Sequence, residues 1–114
     1  MKFTKHKYGN RKVTRNGVTY DSMKEADRHS ILKMLERAGK ISRLERQVKF
    51  ELIPAQKDPV TGKVIEYACS YIADFCYWEN GKYVVEDVKG YKTPEYKLKK
   101  KMMLYFHGIR IKET

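Results

Sequence analysis

The sequence predicts a single α/β domain: a short N-terminal hairpin, a helix, three strands, a second helix and a short last strand. Three observations lead there. Asn-Gly pairs at Asn16-Gly17 and Asn80-Gly81 each sit between β-prone runs, the strongest short-range hairpin signal. Two stretches carry apolar residues at helical spacing, one bounded by Ser22 and Gly39, the other by Thr93-Pro94 and Gly108. At 114 residues, the chain is long enough for one core and too short for two.

In chain order, residues 1–12 carry Lys2, Lys5, His6, Lys7, Arg11 and Lys12 with few aliphatics, and read as a mobile basic arm preceding a domain over 13–114. Val13 to Tyr20 forms the first hairpin. A helix over 22–38 follows, with Ala26, Ile31, Leu32, Met34, Leu35 and Ala38 as its apolar stripe and Gly39 as its stop. Ile41 to Leu44 is expected to turn the chain, and Gln47 to Ile53 to form a strand closed by Pro54. Ala55 to Lys63, with Asp58-Pro59 and Thr61-Gly62, reads as a loop. Strands near 64–78 and 82–89 then pair across Asn80-Gly81. Pro94 opens the second helix, with Leu98, Met102 and Phe106 as its apolar side, and Ile109 to Ile111 is the last strand.

The two arms of the second hairpin carry the chemistry. Asp74 lies inside the apolar run Tyr71 to Trp78, where an unpaired carboxylate is expensive to bury. On the other arm, Glu86-Asp87-Val88-Lys89-Gly90 ends a strand with an acid, a spacer and a lysine, and alternation puts Asp87 and Lys89 on one face and Glu86 on the other. Two acids and a lysine meeting there would bind a hard divalent cation beside an ammonium, a plan for cutting phosphodiesters. Register decides whether they meet.

Twenty-five Lys and Arg against fourteen Asp and Glu give a formal net charge of +11, which points to a polyanionic partner, nucleic acid first. Ribosomal and membrane-surface proteins share this balance. Lys92, Lys97, Lys99, Lys100 and Lys101, interleaved with Tyr91, Tyr96 and Tyr105, suit phosphate contacts and base stacking; the competing reading is a solvated face. Gln47 is a candidate for orienting a phosphate or water, or an ordinary strand-edge residue. Cys69 and Cys76 are seven apart and would face opposite sides of one strand, so free thiols are expected. A zinc site with His29 or His107 lacks the usual Cys-x-x-Cys spacing. With no membrane-length apolar run and no signal-peptide core after Met1, the chain is expected to be cytoplasmic.

Together, Ser22-Met23-Lys24-Glu25-Ala26, Arg46-Gln47, Ala73-Asp74-Phe75, Glu86-Asp87-Val88-Lys89-Gly90 and the lysine-rich helix resemble the PD-(D/E)xK nuclease superfamily. Within it, the chain is similar to a small phage-encoded family of unknown function, from about Tyr8 to Ile111. The resemblance implies a restriction-endonuclease-like core in which a central mixed sheet is flanked by two helices, in the order α-β-β-β-α-β. It also implies Mg²⁺, with Mn²⁺ as substitute, and DNA as substrate in an infected or lysogenic bacterial host. Glu25, Asp74, Asp87 and Lys89 match its catalytic positions, with the Val88 carbonyl completing the metal ligands. Ala73 stands where the superfamily pattern has proline, and Glu86 competes with Asp87 for the ligand role.

Glu25 also stands three residues after Ser22, a capping-box spacing, so its carboxylate has a purely structural alternative; Asp21 is the other candidate cap. The implied activity is a Mg-dependent endonuclease leaving a 5′-phosphate, with branched or four-way junction DNA of phage replication or recombination as candidate substrate. Paired cuts at a junction require a homodimer. The alternative is a catalytically silent DNA- or RNA-binding module using the same basic surfaces.

Overall fold

The computed structural model describes residues 11–114; most of the basic arm, residues 1–10, lies outside them. The first hairpin pairs β1 (Val13–Arg15) with β2 (Val18–Tyr20), turning on Asn16 and Gly17 with φ of 53° and 79°. Positive φ at both positions matches the twist of the strands. Helix α1 (Met23–Arg37) is capped by Ser22, whose hydroxyl accepts from the Glu25 N–H at 3.1 Å; Ser22, not Asp21, is the cap.

The central sheet has the order β3 (Ser42–Ile53), β6 (Cys69–Glu79), β7 (Lys82–Asp87), β8 (Lys112–Glu113). Its first two pairings are antiparallel and the last, β7 with β8, is parallel, so the sheet is mixed. Helix α2 (Pro94–His107) is capped by Thr93 and stopped by Gly108 at φ 68°. Two helices and a mixed four-stranded sheet behind an N-terminal hairpin are the expected α/β architecture.

Several boundaries differ from the sequence reading. Strand β3 begins at Ser42 rather than Gln47, because a register shift between Ser42 and Glu45, with Arg43 at φ 56°, absorbs the irregular segment into the ladder. The expected loop contains a small ribbon, β4 (Gln56–Lys57) against β5 (Val64–Glu66), which separates 64–66 from the long strand β6. The last strand forms at Lys112–Glu113, beyond the apolar Ile109 to Ile111, of which Ile111 is buried in the core.

Both apolar stripes are narrower than expected. On α1, Ala26 and Leu32 are buried, while Ile31 and Met34 are exposed. Ile31 precedes Leu32 by one residue, a rotation of about 100° that carries it off the packed seam. On α2, Tyr96 and Met103 are the buried residues, whereas Leu98 and Phe106 are exposed and Met102 only packs against the core. Tyr96 is therefore a core residue and not a stacking platform.

The core divides along β6. Tyr71 and Ala73 join Leu52, Val85, Tyr96, Met103 and Ile111 in one cluster, while Phe75 and Tyr77 join Leu32 and Ile41 in another. Asp74 lies between Ala73 and Phe75, and Cys76 beyond it returns to the first cluster. Across from Asp74 in β3, between the paired residues Arg46 and Val48, Gln47 has a left-handed φ of 53°. Strand β6 thus contributes to the clusters under both helices, and Asp74 lies within it.

Candidate active site

Hairpin register brings the two acids together. Phe75 pairs with Glu86, so one step further along the same ladder sets Asp74 beside Asp87. The two carboxyl groups are close enough to interact electrostatically. Asp74 Oδ2 also accepts the Val88 N–H at 2.9 Å, and Asp87 Oδ2 accepts the Tyr71 hydroxyl at 2.5 Å. Lys89 Nζ stands 3.3 Å from Asp87 Oδ1 and 4.4 Å from the centre of the Tyr96 ring, which gives the ammonium a cation–π seat.

The backbone here is pinned by the C-terminus. Thr114 N–H donates to the Asp87 carbonyl at 3.0 Å and Lys89 N–H to the Thr114 carbonyl at 3.2 Å, extending the β8 pairing past the end of β7.

Burial, then the neighbouring Asp87 carboxyl, push Asp74 up to about 8. Burial and the bond to Asp87 raise Tyr71 as well, keeping it a donor.

Glu25 is buried on the rim of the same region. Its Oε1 accepts the Asp21 N–H at 3.0 Å, and its Oε2 accepts Gln47 Nε2 at 3.2 Å, with Arg46 at 3.5 Å. It is therefore a capping residue, and it also lines a 320 Å³ cleft with Lys24, Asp74, Val88 and Lys89. An adjoining 420 Å³ cleft is lined by Gln47, Tyr71, Asp74, Asp87, Lys89 and Lys99, among others. Among the described residues, no three His, Cys, Asp or Glu side chains group as a metal cage. The oxygen donors at the centre are the carboxyl groups of Asp74 and Asp87.

Glu86 faces away from this pair, as alternation requires. Fully buried, it accepts from Arg28 at 2.6 and 3.0 Å, from Tyr77 at 2.7 Å and from Thr114 at 3.1 Å. Burial pushes its pKa up, but the bonds from Arg28 and Tyr77 outweigh that and leave it lowered.

The α2 lysines divide. Lys92 and Lys100 both bind Glu113, at 3.0 and 3.1 Å, and Tyr96 donates to the same carboxylate at 2.7 Å. Those bonds hold Glu113 down to about 2. Lys99 pairs with exposed Glu95 at 3.3 Å. Lys97 and Lys101 are exposed and make no ion pair among the described residues. Tyr105 is exposed.

Cys69 and Cys76 are free thiols, as expected, the second fully buried. His29 is bonded to the Tyr20 hydroxyl and stacked on Phe75, and His107 lies 2.8 Å from the Glu51 carbonyl. The sequence offers no role for Arg28 or Glu113, no donor role for Tyr71, and a stacking role rather than this one for Tyr96, since these contacts come from partners 16 to 58 residues away. Only Arg28, one turn after Glu25 on α1, carried a helical signal.

The chain matches, over residues 5–112, the family described as protein of unknown function DUF1064, and belongs to it. No curated protein and no solved structure matches it. No helix of the described residues is long and apolar enough to cross a membrane.

Proposed function

We propose that this DUF1064 family member is a metal-dependent endonuclease of the PD-(D/E)xK kind, hydrolysing DNA phosphodiester bonds. The observation that carries this reading is the Asp74–Asp87 pair with the Lys89 ammonium 3.3 Å from Asp87, at a cleft in a strongly basic chain. A buried and a half-buried carboxyl side by side form a hard oxygen donor set, which fits Mg²⁺ or Mn²⁺.

Asp74, Asp87 and the Val88 carbonyl would hold the ion, with Glu25 reaching it through a water, and the ion would supply Lewis acidity toward the phosphoryl group and a more acidic water. Lys89 orients the attacking water and offsets the negative charge growing on the phosphoryl oxygens. Tyr71 keeps Asp87 in one orientation. Lys24 and Lys99, on the rims of the two clefts, meet the flanking phosphates.

One observation favours the second reading, a silent nucleic-acid-binding module: both Glu25 oxygens are already bonded to protein donors, which leaves two acids rather than three. A cleavage assay separates the readings. Linear, flapped, four-way and single-stranded DNA are incubated with Mg²⁺ or Mn²⁺ and with wild type, Asp74→Asn, Asp87→Asn or Lys89→Met. Metal-dependent cuts by wild type, lost in all three variants, support the nuclease. If wild type binds every substrate and cuts none, the binding module takes its place. Light scattering on the four-way junction decides whether a homodimer forms.

A further inference from the structure

A second basic and aromatic site lies at the turn end of the central hairpin. Trp78 and Tyr83 are cross-strand partners, their ring centres 5.2 Å apart, 39% and 37% exposed. On its other side Trp78 pairs with Ser42, at the start of β3. A large aromatic left open on a sheet surface forgoes the burial that normally justifies it.

Beside it is a 510 Å³ cleft lined by Gly39, Lys40, Ile41, Ser42, Arg43, Trp78, Asn80 and Gly81. Its two cations, Lys40 and Arg43, are exposed and have no acidic partner among the described residues. Arg43 also has a φ of 56°, a conformation that a non-glycine residue adopts only at an energetic cost. Of the acids near in sequence, Glu36 accepts the Leu44 N–H, and neither Glu45 nor Glu79 forms an ion pair with Lys40 or Arg43.

We infer that this cleft binds an unpaired nucleic-acid strand, one base stacking on Trp78 and the adjoining phosphates meeting Lys40 and Arg43. Charge complementarity and an open indole are the two components of a stacking site. The bases of a duplex are stacked on one another and present no free face to the indole. Trp78 lies four residues along β6 from Asp74, about 13 Å, so one strand can contact both sites. The site requires neither the metal nor cleavage, and it stands or falls separately from the nuclease reading.

Trp78 is the only tryptophan of the chain, so its fluorescence reads the contact directly. Full-length protein in EDTA is titrated with oligothymidylate, with oligouridylate and with a blunt duplex, while a labelled oligonucleotide reports total binding by anisotropy. The expected result is saturable quenching by the unpaired strands, weakened by salt, with little quenching by duplex. Quenching by both unpaired strands marks a site indifferent to the sugar; quenching by one alone assigns the site to that nucleic acid. Lys40→Ser combined with Arg43→Ser should weaken the quenching affinity about ten-fold, and Trp78→Leu should weaken anisotropy-detected binding about ten-fold while Trp78→Phe retains part of it. Circular dichroism checks that each variant is folded. Binding by anisotropy without quenching, equal quenching by duplex, or no binding of unpaired strands at all overturns the inference. Loss of cleavage with quenching intact would bear only on the nuclease.

Discussion

The Tyr71 hydroxyl donates to Asp87 Oδ2 at 2.5 Å, and both residues are buried. This bond holds one carboxylate oxygen in place while the Lys89 ammonium approaches the other. Tyr71→Phe removes the donor and leaves one buried carboxylate oxygen without its hydrogen bond, so it should destabilise the fold by about 2 kcal/mol. The Mg²⁺ dependence of cleavage should also weaken about ten-fold or more, as when an outer-shell partner of a metal ligand is lost. Urea denaturation and a Mg²⁺ titration of the cleavage rate measure the two effects. Unchanged Mg²⁺ dependence would show that Tyr71 only packs.

Asp74 makes the metal-free protein pH-sensitive. Its folded pKa is raised from 3.8 to about 8, so across that window the folded state keeps a proton that the unfolded chain releases. Stability therefore falls as pH rises from about 4 to about 8 and levels off above, once both states are ionised. Asp74→Asn should lose this slope and be at least as stable as wild type at the alkaline end. Urea unfolding in EDTA at several pH values, compared between the two proteins, tests this; parallel curves would place the proton elsewhere.

Glu86 should matter for folding rather than chemistry. Glu86→Gln leaves Arg28 without its counter-charge in a buried network, and the expected loss of stability is about 3 kcal/mol. At a temperature where the variant stays folded, cleavage per folded molecule should remain close to wild type. A variant that is fully stable yet inactive would move the ligand role from Asp87 to Glu86.

The α2 lysines should separate by their partners. Lys97→Glu with Lys101→Glu changes only exposed charges, so DNA binding should weaken, and the slope of log affinity against log salt should fall by about two. Lys100→Glu also places an acid beside Glu113 and should lower the melting temperature. Anisotropy across a salt series and thermal melts distinguish the cases. A salt slope unchanged by the double substitution would remove the outer face of α2 from the interface.

Much of the fold was legible in the sequence because its signals are local. Asn16-Gly17 and Asn80-Gly81 marked their turns, Ser22 and Thr93 the helix starts, and Gly39 and Gly108 the stops, each through the backbone conformation or donor it supplies within a few residues. Alternation likewise sent Glu86 and Asp87 to opposite faces. Tertiary structure alone decided the rest. Whether Asp74 met Asp87 depended on a hairpin register set by packing, and the C-terminal pinning of Asp87 and Lys89 joined segments far apart in the chain. Helical spacing nominated Ile31, Leu98 and Phe106 for burial, but the sheet covers only the seam through Leu32 and the one through Tyr96 and Met103. Periodicity marks which faces of a helix are apolar; only the position of the neighbouring sheet selects which face loses water.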